Sequence, residues 1–180
     1  MAQAVADALG LKEVRWIVTG DPEHKPVLAS AEHRLQMVKA ALAELNDSRM
    51  QADDREIIAA AAAQSNFTAD TVAGLMQEFP RASFIWILGE DQLEHFTTWS
   101  RWQWLVKNIP FAVCARPGAQ SAATLEKIQA EGGRLDWISV LPDAVSSTEI
   151  RQQIRAGRLQ SGLVPESVAR YIGEHQLYQP

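Results

Sequence analysis

Four short segments of this chain are packed with Val, Ile, Leu, Phe and Trp and lack the alternation of a strand with one wet face: 14–18 (VRWIV), 83–88 (SFIWIL), 111–115 (FAVCA) and 135–141 (LDWISVL). Runs of this kind read as strands buried on both faces. The stretches between them carry helical periodicity. Strands that are buried on both sides and separated by helices pair in parallel, because each parallel neighbour needs a crossover to reach. The pattern predicts an α/β chain with a doubly wound parallel sheet. In such a fold, ligands sit beyond the carboxyl ends of the strands.

The helical stretches have readable limits. One runs from about Ser30, a plausible N-cap, to Asn46. A second, 67–79, places Val72, Leu75, Met76 and Phe79 on one stripe and stops at Pro80. Further helices are expected over 121–131, 147–156 and 165–174. The segment 50–55 is a candidate strand, and the alanine run 59–63 is left unassigned. Met1 leads straight into a helical pattern with Val5, Ala8 and Leu9 on one face and Gly10 as its stop. An α/β chain ordinarily opens on a strand, so the expectation is that a first strand is missing.

With 180 residues and no internal repeat, 1–180 is expected to form a single domain. The net charge of -5 argues against a nucleic-acid partner, which calls for a basic surface. No apolar run approaches the roughly 18 to 20 residues of a membrane span, so no membrane partner is expected. The single cysteine, Cys114, excludes an intrachain disulfide and a cysteine-based zinc site, and it fits a reducing cytoplasm. The first ten residues, MAQAVADALG, carry no basic residue and do not resemble a signal peptide.

The residues after each strand are the candidate site. His24 and Lys25 lie between Pro22 and Pro26, where they suit an anionic group or an ordinary charged loop; Arg34 on the next helix can point to the same strand ends. Gly89 permits close backbone approach, and Asp91 suits either a ribose or amino group or the cap of a short helix. Trp99, between Thr98 and Ser100, is either a stacking platform for a flat ring or a packed core residue, and Trp102 reads as core. A basic turn, Arg116-Pro117-Gly118, follows the third of these strands. Ser146 and Glu149 have capping-box spacing, and Ser147, Thr148 and Arg151 share one side of the helix. Amides, hydroxyls and a guanidinium there suit a phosphate, or form a plain cap with a solvated arginine. Cys114 falls within a strand, and His24, His33, His95 and His175 form no recognisable triad or metal set. One stacking ring and several anion-binding groups at one end of a sheet favour a nucleotide or phosphorylated substrate.

The sequence resembles the bacterial nicotinate-nucleotide adenylyltransferases, of the nucleotidyltransferase α/β phosphodiesterase superfamily with its Rossmann-like fold. The matching segments are GLKEVRWIVTGDPEHKP, SAEHRLQMV, DDREI, NFTADTV, WILGEDQLEHFTTWSRWQWLV, VCARPG, VSSTEIRQQIRAG and LVPESVARYIGEHQLY, which cover almost the whole chain. The resemblance implies adenylyl transfer from ATP to nicotinate mononucleotide in NAD biosynthesis, with Mg²⁺ accompanying ATP. It implies that Trp99 stacks on the pyridine ring and that Thr68 helps form the mononucleotide pocket. His24 and Lys25 would lie beside the phosphates, Gly89 and Asp91 beside the ATP ribose and adenine, and Ser146, Thr148 and Arg151 on the ATP phosphates.

Three departures from the family pattern stand out. The usual Pro-Ser-Tyr-Thr is Ser65-Asn66-Phe67-Thr68, which loses a tyrosine hydroxyl. Pro22-Glu23 stands where Pro-Pro is common. The family's first strand and Gly-Gly-x-Phe-Asp-Pro-x-His-x-Gly-His turn do not occur in 1–180, so no catalytic residue is assigned. The resemblance makes those two histidines the main contacts to the ATP phosphates, and losing a donor at such a centre costs on the order of 10² to 10³ in rate. Low turnover by 1–180 is therefore expected. The alternatives are a homologue that only binds nucleotide or a partner, and an adenylyltransferase for a related acceptor such as phosphopantetheine or nicotinamide mononucleotide.

Overall fold

Each predicted strand is followed by a helix, and the computed structural model, which describes residues 1–20, 28–64, 66–115, 122–140 and 146–179, has this alternation. In chain order the elements are α1 (Ala2–Leu9), β1 (Val14–Ile17), α2 (Ala31–Leu45), β2 (Met50–Asp53), α3 (Arg55–Ala61), α4 (Thr68–Glu78), β3 (Trp86–Gly89), α5 (Glu90–Leu93), a 3₁₀ turn (Phe96–Thr98), α6 (Trp102–Asn108), β4 (Phe111–Ala115), α7 (Ala122–Ala130), β5 (Leu135–Ser139), α8 (Ser147–Arg155) and α9 (Glu166–Glu174). Among the described residues all strand pairings are parallel, and hydrogen bonding organises them as β1-β2 and as β3-β4-β5. The chain divides into two units, Met1–Lys12 with Ser65–Pro142, and Glu13–Gln64 with Asp143–Pro180.

In the first unit β4 is the middle strand, and Phe111, Ala112, Val113 and Cys114 are all at most 1% exposed. Side chains alternate across a strand, so these four residues serve two faces. Phe111 and Val113 join one cluster with Val72 of α4, Phe96, Leu105 and Val106 of α6, and Ile128 of α7. Ala112 and Cys114 join the other with Val5 of α1, and Ile85, Ile87 and Ile138 pack around them. The continuous apolar strand thus has helices on both sides, which is why it shows no polar alternation. Small residues on the α1 side let that helix approach closely, and its fully buried pair is Val5 and Ala6. Ala8, expected on that face, is exposed instead; Gly10 ends the helix with φ 61°, as expected of a glycine stop.

Strand limits follow from the neighbour. The β3 ladder starts at Trp86, whose N–H donates to the carbonyl of Pro110 (3.0 Å), the residue before β4. Residues 83–85, expected as strand, precede that first pairing. The β4–β5 register runs from Phe111↔Leu135 to Ala115↔Ser139, so of the stretch expected as strand over 135–141, Val140 is not strand and Leu141 lies outside the described residues.

In the second unit, Ser30 caps α2 by accepting the His33 N–H (3.2 Å), as its position suggested. The Glu44 carboxylate, near the other end of α2, accepts the N–H groups of Glu166 (3.2 Å) and Ser167 (2.8 Å), so α2 supplies the N-terminal cap of α9. The Ser167 hydroxyl donates to the Ala40 carbonyl (3.0 Å) and closes the same junction. Asp53 ends β2 as a buried carboxylate held by Arg55 (Nη2 to Oδ2, 2.8 Å) and Arg15 (Nη1 to Oδ2, 3.1 Å). Its carbonyl accepts the Val18 N–H (3.0 Å), which fixes the chain as it leaves β1.

Candidate functional site

The candidate residues of the first unit sit at the end of β3 and in the aromatic segment after it. Gly89 closes β3 and caps α5 in an extended conformation (φ -78°, ψ 150°). A Cβ placed on it would lie 2.4 Å from Asp91 Oδ1, so the Asp91 carboxylate folds back over the glycine. The N-cap position of α5 is Gly89 itself, and Asp91 lies within the first turn of the helix. The carboxylate is exposed, and its Oδ2 accepts from the Gln92 amide (3.0 Å). Two oxygens presented beside a bare glycine backbone form a surface that a hydroxyl or amino group can approach closely.

Trp99 is half-buried, between the two readings its sequence allows. Its ring lies 5.2 Å from that of Phe96 at 46°, and Phe96, fully buried, meets Phe111 of β4 edge-on at 5.1 Å. The indole is therefore anchored to the sheet through Phe96 while remaining partly open. Its backbone is also fixed: its N–H donates to Phe96 O (3.0 Å), and its carbonyl accepts from Trp102 N (3.2 Å). Trp102 packs against the same core, as expected.

Thr68 is the first residue of α4, half-buried, with Phe67 in the cap position and no side-chain cap bond. Phe67 is 41% exposed. The α4 start and the Trp99 segment are joined by an ion pair between Asp70 and Arg101. Nothing in the sequence marked that pair.

In the second unit, Ser146 caps α8 by accepting the Glu149 N–H (3.2 Å). Arg151 Nη2 donates to Thr148 Oγ1 (3.2 Å), so the two share a face as their spacing required. Ser146 and Thr148 are exposed, and Arg151 is half-buried. Arg34 does reach the end of β1: it donates to the carbonyls of Thr19, Gly20 (2.9 Å) and Ala29 (3.3 Å). Gly20 lies against α3 so closely that a Cβ would fall 2.2 Å from the Glu56 carbonyl oxygen. Tyr178, not singled out from the sequence, belongs to this group. Burial pushes its hydroxyl above the ordinary tyrosine range, against the opposing pull of the Arg151 and Arg34 charges. A tyrosine under the influence of two guanidiniums is a signal that sequence spacing does not carry. His24, Lys25 and the 116–118 turn lie outside the described residues.

The structure thus brings together Gly89 with Asp91, the Thr68 helix with the Trp99 turn, and Ser146, Thr148 and Arg151 on α8. Among the described residues, no three His, Cys, Asp or Glu side chains form a group able to hold a metal ion, and no helix is long and apolar enough to cross a membrane. Cys114 is buried, as its place in a strand implied.

Comparison with known proteins narrows the reading. The chain matches the cytidylyltransferase-like family over residues 1–153. It is 39% identical to a probable nicotinate-nucleotide adenylyltransferase of Bordetella avium, with 100% of this chain and 89% of the relative covered. It is also 39% identical to one from Neisseria meningitidis serogroup B, covering 99% and 90%. Among solved structures it is similar to Plasmodium falciparum nicotinic acid mononucleotide adenylyltransferase complexed with NaAD, at TM-score 0.74 and 18% identity, covering 98% of this chain and 89% of that one. The same enzyme complexed with APC gives a TM-score of 0.72 at 16% identity, with the same coverage. The structures agree in fold, and the sequence identities extend over nearly all of each relative. The chain therefore belongs to the nicotinate-nucleotide adenylyltransferase family, with the α/β fold of the cytidylyltransferase-like nucleotidyltransferases.

Proposed function

We propose that residues 1–180 act as one nucleotidyltransferase domain, transferring the adenylyl group of ATP to nicotinate mononucleotide to give deamido-NAD and pyrophosphate in cytoplasmic NAD biosynthesis. Family membership supports the reaction class. The observation that carries the acceptor is Trp99: a half-open indole, fixed by backbone bonds and backed by a buried phenylalanine, suits a flat pyridine ring. In this reading Thr68 lines the same pocket.

The attacking group is a phosphate oxygen of the mononucleotide, already ionised at neutral pH, so no general base is needed. A new P–O bond forms at the α-phosphorus of ATP, the bond to the bridging oxygen breaks, and pyrophosphate carries that electron pair away. The protein's task is to position the reactants and to stabilise charge on the phosphoryl oxygens. Ser146, Thr148, Arg151 and the amides of the α8 N-terminus suit the phosphates of ATP; on the other unit, Gly89 and Asp91 suit a ribose hydroxyl or an amino group. His24 and Lys25 attend the acceptor phosphate. Mg²⁺ would accompany ATP in this reading. When bound, it neutralises phosphate charge.

The test is titration of nicotinate mononucleotide and ATP into the protein and into Trp99→Ala. The reading predicts weaker mononucleotide binding with ATP binding little changed. Equal loss for both ligands, or no loss, removes Trp99 as the ring platform.

A further inference from the structure

We propose that the Asp70–Arg101 ion pair is a positioning device for the acceptor pocket, setting the spacing between the first turn of α4 and the turn that carries Trp99. The inference rests on the acceptor reading above. The two partners are 31 positions apart in sequence. Asp70 follows Thr68 by two residues in the same helical turn, about 3 Å along the axis, so the two move together. Arg101 follows Trp99 by two residues, with only Ser100 between.

Arg101 is held from several directions. Its guanidinium donates to Asp70 and lies over the Trp104 ring, 5.5 Å from the centroid. Its carbonyl accepts the Leu105 N–H (3.1 Å). Its backbone is left-handed, with φ 53°, a conformation unfavourable for an arginine. Such a residue persists only where its surroundings over-determine it, and such residues gather at ligand clamps. The Arg101 and Asp70 side chains are 47% and 41% exposed. An exposed pair contributes little to global stability. Its effect here is local: it holds one arrangement of two segments that both face the acceptor.

The informative variant is Arg101→Gly. Glycine takes φ 53° without strain, so the clamp is removed while the backbone is relieved. The melting temperature is expected to stay within about 2 °C, since the two effects oppose each other. The KM for nicotinate mononucleotide is expected to rise about three- to fivefold, the scale of one exposed ion pair, with the KM for ATP unchanged. Asp70→Asn is expected to reproduce the acceptor effect, and Arg101→Lys, which keeps a cation beside Asp70 and Trp104, to restore most of it. Equal rises for both substrates, or an unchanged acceptor KM, overturn the proposal. Trp99→Ala, measured alongside, separates the two levels. If it weakens the acceptor and Arg101→Gly does not, this inference alone fails. If it also leaves the acceptor unaffected, the acceptor reading falls and this inference with it.

Discussion

Replacing Asp53 with asparagine tests how the second unit holds the end of β1. The Asp53 side chain is only 6% exposed, with Arg55 at 2.8 Å and Arg15 at 3.1 Å. Burial alone would raise its pKa. The hydrogen bonds from the Arg55 side chain and backbone, then the Arg15 bond, outweigh burial and bring it below the ordinary carboxylate value of 3.8. Breaking a fully buried pair costs about 3–5 kcal/mol. Here both guanidiniums remain partly wet, at 23% and 30% exposure, and can recover water when the carboxylate charge is lost. Asparagine also keeps one acceptor for Arg55. The expected loss for Asp53→Asn is therefore about 2 kcal/mol, or roughly 4–8 °C in melting temperature for a chain of this size.

The pH dependence has a definite sign. A depressed carboxylate pKa adds stability above the unfolded value of 3.8, and that contribution disappears as pH falls through the lower folded value. Urea unfolding at pH 7, followed by fluorescence, is expected to show the full gap between wild type and variant. Repeated at stepwise lower pH, the gap is expected to shrink below about pH 4. Equal midpoints at pH 7, or a gap that stays constant as the carboxylate protonates, would refute the assignment of this stability to the ionised pair.

Other outcomes follow from single contacts. Gly20→Ala is expected to destabilise the protein by about 1–3 kcal/mol, because its Cβ would meet the Glu56 backbone oxygen, which cannot swing aside; thermal melts check it. Glu44→Gln is expected to speed amide exchange at Glu166 and Ser167. The Ser167 N–H is the main cause of the lowered Glu44 pKa, so protection there is present above about pH 4.5 and declines as pH falls through the folded value. Arg151→Ala is expected to weaken ATP by about tenfold, the scale of one charge-assisted hydrogen bond, with the acceptor little affected; titration with each ligand separates the two.

Much of this was legible because burial writes itself into strand composition. The span of β4 coincides with FAVCA, since a middle strand with helices on both sides has no position that tolerates a polar residue. The caps at Ser30 and Ser146 were legible because an N-cap is a local event, decided within four residues. What depends on partners far away in sequence was not. The late start of β3 reflects where β4 begins, and the aromatic stretch 96–104 gave no helical signal although it enters α6. Alanine pattern alone could not choose between Ala6 and Ala8 in α1, because both are small and apolar and only the facing sheet decides. The alanine run 59–63, whose first three residues end α3, has high helix propensity but no stripe to orient it.

The site divides in the same way. Trp99, Asp91 and the Ser146–Arg151 segment stood out as residue types suited to a nucleotide placed after strands. Arg34 was foreseen only as pointing toward the strand ends; its bonds to the Thr19 and Gly20 carbonyls needed coordinates. Tyr178 and the Asp70–Arg101 pair carry no local sequence signal, because each is defined by what it meets across the fold.

The most direct test of the central claim is competition among acceptors. The protein is incubated with ATP and equal concentrations of nicotinate mononucleotide, nicotinamide mononucleotide and phosphopantetheine, and the adenylylated products are separated and quantified against pyrophosphate released. The account predicts that deamido-NAD dominates and that its share falls in Trp99→Ala. A phosphopantetheine adduct as the main product, or a product ratio that Trp99→Ala leaves unchanged, would contradict it.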